Sequence, residues 1–399
     1  MSRIDALIAE LCPEGVEFKL LGSCAAYSDT RVDASDLDEK NFIGVDNLLQ
    51  NAAGKVDASY LPNTARLTAY EAGDILLGNI RPYLKKIWLA NNEGGCSGDV
   101  LAIRISDAHR LMPEFLYRVL ASDVFFAYNM QHAKGAKMPR GSKEAILKYR
   151  IPVPPLEIQR EIVKVLDTFT ELEAELEAEL EARRWQYKYY RDALLAFSDQ
   201  DIRWAAMAEL GEFIRGRRFT KADYVEDGVP CIHYGEIYTR YGTAADTAIS
   251  HVRSDMAASL RYAKPGDVVV TDVGETVEDV GKAVAWVGTE DVAIHDHCYA
   301  FRHSMNPKFV SYCMQTSSFI AEKAKYVART KVNTLLIGGF SKIRIPVPSL
   351  EEQERIVAIL EKFDALVNDI SIGLPAEIAA RRRQYAYYRD RLLTFKEAA

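Results

Sequence analysis

A chain of 399 residues that is 48% hydrophobic and 27% charged is soluble globular material of two or three domains, and a formal net charge of −7 argues at first sight against a nucleic-acid partner. No run approaches the roughly 18 consecutive apolar residues of a membrane span, and MSRIDALIAELCPEG alternates charge with apolar residues, which excludes a signal peptide or anchor. Cys12, Cys24, Cys96, Cys231, Cys298 and Cys313 stand without CxxC or finger spacing, the usage of a cytoplasmic protein with reduced thiols.

In chain order, a short helical segment over residues 1–14 leads into β-rich runs, DILLGNI and VLAIRI, that alternate with turn signals and end in a helical stretch, FLYRVLAS. This mixed α/β head, residues 1–150, carries two basic segments. NIRPYLKKI holds Arg81, Tyr83, Lys85 and Lys86, and AKGAKMPRGSK holds Lys134, Lys137, Arg140 and Lys143. Their bland reading is solvated loop; cations clustered beside glycines point instead to phosphate contact.

Residues 151–198 read as one long helix. Pro154-Pro155 opens it, and apolar residues recur at Ile158, Ile162, Val165, Phe169, Leu172, Leu176 and Leu180, a stripe that Tyr187, Tyr190, Leu194 and Phe197 extend. Some 45 residues at about 1.5 Å each make a rod of about 65 Å, which cannot fold alone. Within it ELEA stands three times in succession from Glu171 to Ala182. The six glutamates of that run account for nearly all of the net charge, so the total says little about the basic patches elsewhere.

Residues 199–344 read as a second head. IRGRRFTK supplies Arg215, Arg217 and Arg218; the strands DVVVTDV, AVAWVG and CYAFRH and the helix FVSYCMQTSSFIAEKA come after it, then Arg329 and Lys331. His295-Asp296-His297 with Glu290, and Asp272 with Glu275, raise the question of a metal or a carboxylate pair. An HxH without a third ligand at recognisable spacing reads instead as a strand with exposed polar residues. No GxxxxGK[ST] loop is present and GETVEDVG departs from GxGxxG, so no nucleotide cofactor is expected. Residues 345–399 read as a second long helix, with Ser349 and Glu352 in capping-box spacing, Ile356, Ile359, Leu360, Phe363, Leu366 and Ile370 in its stripe, and a break at Gly373-Leu374-Pro375.

The chain is written twice. ARRWQYKYYRDALLAF (182–197) returns as ARRRQYAYYRDRLLTF (380–395), and IPVPPLEIQREIVKVL (151–166) as IPVPSLEEQERIVAIL (345–360). Fainter echoes join Leu21-Gly22 to Leu210-Gly211 and EAGDILLGNIRPYL (71–84) to KPGDVVVTDVGETV (264–277). The heads have diverged while the helices have not, so the heads touch different things and the helices the same thing twice. The helices pair with each other, antiparallel because the chain leaves along one and returns along the other. Two like faces would recruit two like partners, with Tyr187, Tyr189, Tyr190, Arg191 and Tyr385, Tyr387, Tyr388, Arg389 as the docking residues; packing between the helices is the bland alternative.

Two diverged domains, each followed by IPVPxxExQ and then ARRxQYxYYRDxLLxF, with GLPAEIAARRRQYAYYRD at 373–390, resemble the specificity subunit of type I restriction-modification systems over essentially the whole chain; the one departure is Ile158-Gln159 where the second copy has Glu352-Gln353. The resemblance implies an α+β fold in which two target recognition domains each read one half of a split asymmetric site on double-stranded DNA. Between them lies a coiled-coil spacer of two long helices, the whole pseudo-two-fold and circularly arranged, with residues 1–14 closing the ring. It further implies two bound copies of a methyltransferase subunit, and restriction/translocase subunits joined through that core. S-adenosylmethionine, ATP and magnesium would then belong to the partners, leaving this chain without a catalytic or metal site. The rival readings are a coiled-coil adaptor with protein-binding heads, which predicts no retention of DNA, and a self-sufficient nuclease or methyltransferase, whose catalytic motifs are missing.

Overall fold

The central strand of each head is apolar at successive positions, Ile75-Leu76-Leu77 and Val268-Val269-Val270, so both of its faces have to be covered. A computed structural model describes residues 3–197, 202–329, 332–368 and 372–398 and shows how. In the first head β1 (Ala25–Tyr27), β2 (Arg31–Asp33), β3 (Phe42–Ile43), β4 (Arg66–Tyr70), β5 (Ile75–Gly78), β6 (Ile87–Leu89), β7 (Gly94–Cys96) and β8 (Val100–Ile105) form two sheets, ordered β1-β8-β5-β6 and β2-β4-β7-β3. Ile75 and Leu77 stand opposite Ile103 and Leu101. Those four share a core with the helices that come after α1 (Arg3–Leu11), namely α2 (Pro113–Leu120) and α3 (Asp123–Gln131), while Leu76 and Ala102 pack with Ile43, Tyr70 and Cys96 of the second sheet.

The second head repeats this skeleton with β9 (Gly211–Arg215), β10 (Tyr224–Val225), β11 (Val229–Ile232), β12 (Ser250–Val252), β13 (Tyr262–Ala263), β14 (Val268–Thr271), β15 (Val273–Gly274), β16 (Ala283–Trp286), β17 (Val292–Ile294) and β18 (Cys298–His303). One sheet runs β9-β18-β14-β16 with Ala244–Ala245 added at the β16 edge, and the other runs β10-β12-β11-β17-β13. In each head one pair in the second sheet is parallel, β3 with β7 and β11 with β17, so the matching strands are unambiguous. The helices over the first sheet are α5 (Pro307–Cys313) and α6 (Ser317–Lys323), and the hairpin β19 (Val327–Ala328) with β20 (Asn333–Leu335) adds to β15.

The same turn enters the central strand of both heads. Gly73 and Gly266 take φ of +93° and +94°, a conformation open to glycine, and the aspartates after them are turned into the head. Asp74 accepts from the Glu71 N–H at 2.9 Å and from Arg104 Nη2 at 2.7 Å; Asp267 accepts from the Lys264 N–H at 2.8 Å and from Arg302 Nη2 at 2.9 Å. The Gly-Asp echo thus encodes one ion pair per head, its aspartate buried and its arginine half-buried.

The repeated segments are longer than their helices, because they open on strands, Arg150–Pro152 and Arg344–Val347, that pair with Phe18–Leu20 and Arg203–Ala206. Helix α4 (Leu156–Leu194) is 39 residues, about 58 Å; α7 (Leu350–Asn368) and α8 (Leu374–Leu392) lie downstream of the second head. Pro375 stands in the first turn of α8, as the break predicts, while Ile370 lies outside the described residues. Ser349 Oγ caps α7 by accepting from the Glu352 N–H at 3.3 Å, but the Glu352 carboxylate turns to Arg355 at 2.7 Å and leaves the capping box half made.

Two compact units result, Met1–Glu175 with Ala379–Ala399, and Leu176–Ile378, so α4 contributes its first half to one and its second half to the other. In the first unit Phe169 stacks on Tyr388 at 5.4 Å and Glu173 pairs with Arg382 at 2.5 Å, an antiparallel contact of α4 with α8. In the second, Tyr190 stacks on Phe363 at 5.5 Å, the same pair of motif positions supplied by the other copies. Val16 exchanges backbone bonds with Lys396 at 2.8 Å and Ala398 at 3.0 Å, so the segment after α1 meets the segment after α8 in the first unit. Among the described residues no helix is long and apolar enough to cross a membrane.

Replacing Asp267 by Ala strands the Arg302 guanidinium, whose side chain is 32% exposed, and the Lys264 N–H. The expected loss is about 2–3 kcal/mol of stability in the second unit, at the low end for a broken buried pair because the arginine is partly solvated. Denaturant unfolding of the full chain measures it, and a midpoint unchanged from the parent would refute the assignment.

Candidate nucleic-acid interface

The two basic segments of the first head, about fifty residues apart, are brought together by backbone bonds. The Arg81 N–H donates to Pro139 O at 2.7 Å and the Gly141 N–H to Asn79 O at 3.0 Å, while Lys134 and Arg140 close a hairpin with reciprocal bonds of 2.9 and 2.8 Å. Gly135, at φ +106°, makes that turn. Arg81, Tyr83, Lys134, Lys137, Arg140 and Lys143 are exposed around it, Arg140 held by Asp99 at 3.1 Å. A cleft of about 910 Å³ opens beside them, bordered by Arg31, Arg66, Tyr60 and Met138.

Lys85 and Lys86, expected to belong to the same patch, are engaged elsewhere. Lys86 Nζ donates to Val45 O at 2.7 Å, and Lys85 is bonded to Asp123, the first residue of α3. That bond, with Arg389 at 3.1 Å, holds the Asp123 carboxyl below the usual carboxylate range.

The second head uses the same joint. β15 pairs with β20, and the Leu335 N–H donates to Asp272 O at 2.7 Å, in the place of Gly141 and Asn79. This brings the hairpin that begins before exposed Arg329 next to Arg215 at the end of β9; Lys331 lies outside the described residues. Arg215 Nε donates to Asp296 O at 3.0 Å and its Nη2 to Asp272 Oδ2 at 3.3 Å, whereas Arg217 and Arg218 project into solvent.

His295-Asp296-His297 is not the exposed strand the sequence suggests. It forms the turn between β17 and β18, with His295 buried against Phe219 and His233 at ring distances of 4.9 and 4.6 Å, and its Nε2 at 3.1 Å from Phe219 O. Burial pushes this imidazole down to about 4. His297 bonds Asp272 at 3.0 Å, and among the described residues no group of three His, Cys, Asp or Glu side chains is placed to hold a metal. GETVEDVG is a loop fastened by buried Lys323, whose Nζ donates to Glu278 O at 2.8 Å and whose burial pushes it down to about 8.

The repeated tyrosine phrase divides into two faces. Tyr187, Arg191 and Arg389 are buried, with Arg191 over the Tyr187 ring and Arg389 over that of Tyr385, whose hydroxyl accepts from Arg118 at 2.9 Å. Tyr190 and Tyr388 carry the stacks already described. Tyr189 and Tyr387 point outward, 69% and 60% exposed, and Trp185 joins them. In the ELEA run Glu171, Leu172 and Ala182 are exposed, Leu176 is half-buried and Leu180 is buried.

Gln159 and Gln353, which the sequence offered only as letters in a motif, prove to be matched struts. Each is buried, accepts from one head N–H (Met112 at 2.9 Å, Asn306 at 2.8 Å) and donates to the proline carbonyl five residues before it, tying a helix start to its head. Their recurrence at one place in both copies was the available signal.

Residues 40–182 and 204–380 match the model of the type I restriction modification DNA specificity domain, well over half of the sequence, and the chain belongs to that family. The specificity subunit of the type I restriction enzyme EcoR124I/EcoR124II of Escherichia coli is 32% identical over 258 residues, 62% of this chain and 63% of its own length, so the chain spans less than two thirds of that relative. A putative type I restriction enzyme specificity subunit of Haemophilus influenzae is 28% identical over 311 residues, 73% of this chain and 74% of that one. A chain solved in work on complex assembly and conformational transition of the type I R-M system shares the fold, with a TM-score of 0.65 over 95% of this chain and 97% of its own at 21% identity.

Replacing Lys134, Lys137 and Arg140 by Ala is expected to weaken binding to all double-stranded sequences alike and to flatten its salt dependence by about one unit of slope per lost phosphate contact. Lys85→Ala, whose half-buried ammonium is fastened to the start of α3 whereas Arg140 remains exposed beside Asp99, should leave the slope alone. Titrations across a salt series decide it, and equal slopes for the triple variant and the parent would remove this hairpin from the backbone.

Proposed function

We propose that this chain is the DNA-specificity subunit of a type I restriction-modification complex. Residues 1–150 and 199–344 act as target recognition domains that read the two halves of an asymmetric site, and the segments 151–198 and 345–399 set their separation. The observation that carries this reading is one skeleton holding different chemistry at matching places. Counting from the paired arginines Arg104 and Arg302, the strand register sets Ala26 against Glu212 and Tyr27 against Phe213, and two residues past the end of β1 Asp29 comes to the place of Arg215; the shared joint sets Asn79 against Asp272, and basic RPYLKK occupies the place of acidic GETVED. Like frames with unlike loops suit a ligand that offers the same backbone twice and different base edges.

In this reading the outward Tyr189 and Tyr387, one per helical repeat, dock two copies of a methyltransferase subunit, and restriction/translocase subunits join through them. The chain itself is non-catalytic and cytoplasmic, with S-adenosylmethionine, ATP and magnesium held by its partners. Exchanging residues 15–150 for another head is expected to change one half-site only. Sequencing of modified bases in a strain carrying the exchange reads this out, and a simultaneous change in both half-sites would sink the two-reader arrangement.

The ELEA run then has a role as a spacer. Each four-residue unit lengthens α4 by about 6 Å while turning the downstream part of the helix by only about 40°, and about 3.4 Å of duplex corresponds to one base pair. Deleting Glu175 to Ala178 is expected to keep both half-sites and shorten the unspecified gap by about one to two base pairs, the Gly373–Pro375 break absorbing the mismatch. An active variant whose methylated sites keep the parental gap would return the run to the status of a solvated helix face.

A further inference from the structure

We infer that Arg215 reads a guanine in the half-site taken by the second head and that Asp272 is the positioning residue that aims it, an inference that rests on the DNA-reading function proposed above. The sequence groups Arg215 with Arg217 and Arg218 as one basic patch, but the structure separates them. Among the described residues no hydrogen bond or ion pair fixes the side chains of Arg217 and Arg218, and both are exposed. Arg215 is held from several sides: Nε to Asp296 O at 3.0 Å, Nη2 to Asp272 Oδ2 at 3.3 Å, and the guanidinium over the Tyr299 ring at 5.7 Å. Its own carbonyl accepts from Arg261 Nη1 at 3.2 Å.

The anchor is itself buried and bonded on both sides. Asp272 has a side chain only 6% exposed, His297 Nδ1 occupies its other oxygen at 3.0 Å, and its backbone is bonded to His297 O at 3.0 Å and to the Leu335 N–H at 2.7 Å. With Nε and one Nη2 hydrogen engaged by the protein, the Nη1/Nη2 end of the guanidinium keeps two parallel N–H groups on a side chain that is 51% exposed. That is the fork which meets O6 and N7 of guanine in the major groove.

Two physical reasons favour a base over a phosphate. Reading a base edge requires a side chain held to about half an ångström, whereas a phosphate accepts a swivelling cation. A buried carboxylate behind the guanidinium also cancels its net charge, which weakens attraction to the backbone and leaves the donor geometry intact. The first head has Asp29 and Asn79 at the matching places, so it lacks this reader, as a domain for a different half-site must. Asn79 further shows that the joint folds with an amide where the second head has Asp272, which makes Asp272→Asn a mild substitution.

The test is selection from a randomised double-stranded DNA library by the full-length chain assembled with the methyltransferase subunit, for the parent and for R215A, R215K, D272N and R217A/R218A, followed by salt titrations. R215A is expected to lose preference for guanine at one position of the second half-site by about 10- to 100-fold, with the first half-site and the salt slope unchanged. R215K, which keeps the charge but not the fork, should fail to restore that preference. D272N should relax the same position, and R217A/R218A should weaken every sequence and lower the slope. If R215A instead weakens all sequences evenly and lowers the slope by about one, Arg215 is a phosphate contact and the inference is wrong while the proposed function stands. If the parent selects no sequence at all, the proposed function fails and takes this inference with it.

Discussion

A helix of 39 residues with an apolar stripe along its length cannot be buried by one small domain, and the rest of the molecule is arranged around that constraint. Ile158, Ile162 and Leu166 of α4 are fully buried in the first head's core, and Leu180 and Tyr187 are buried in the second's. The first head takes its second helix, α8, from the far end of the chain, whereas the second is paired with α7, which follows it directly. Phe169 therefore meets Tyr388 and Phe363 meets Tyr190, so that each stack joins one copy of the upstream motif to the other copy of the downstream motif.

Around this frame the residues common to both copies hold the structure together and leave the loops free to differ. The glutamine struts, the Gly-Asp turns with their arginines and the aromatic stacks recur in both units at similar distances, with the glutamines and aspartates buried. Burial explains their recurrence: an unpaired buried aspartate or amide is costly wherever it occurs, whatever the head binds. An exposed residue at a strand end or in a loop carries no such penalty, so Arg215 in one head can stand where Asp29 stands in the other.

The long helix, the internal duplication and the two heads were legible in the sequence because periodicity and repetition are properties of the chain itself. The cationic loops were legible as segments, but their joining through Pro139 O and Asn79 O depends on backbone bonds across some sixty residues, for which no local pattern exists. Charge was the least reliable guide at single residues. Lys85 and Lys137 look alike in the sequence, yet one is paired with Asp123 and the other is exposed, because pairing depends on which helix start the fold brings near. The His-Asp-His segment misled for a related reason: its polar composition suggests a solvated strand, but the aromatic rings of Phe219 and Tyr234 cover it. Within the tyrosine phrase, helical spacing gave the stripe, while which side faces a head was set by the packing of α2, α3, α5 and α6.

The sharing of helices between units also fixes an order of events during synthesis. The second unit is one unbroken stretch, Leu176–Ile378. The first unit begins earlier but draws Tyr385, Leu392, Leu393 and Phe395 into its core from the far end of the chain. Its closure spans more than two hundred residues, a long-range step of the kind that slows folding and leaves apolar surface uncovered in the meantime. The head translated first is therefore the head completed last.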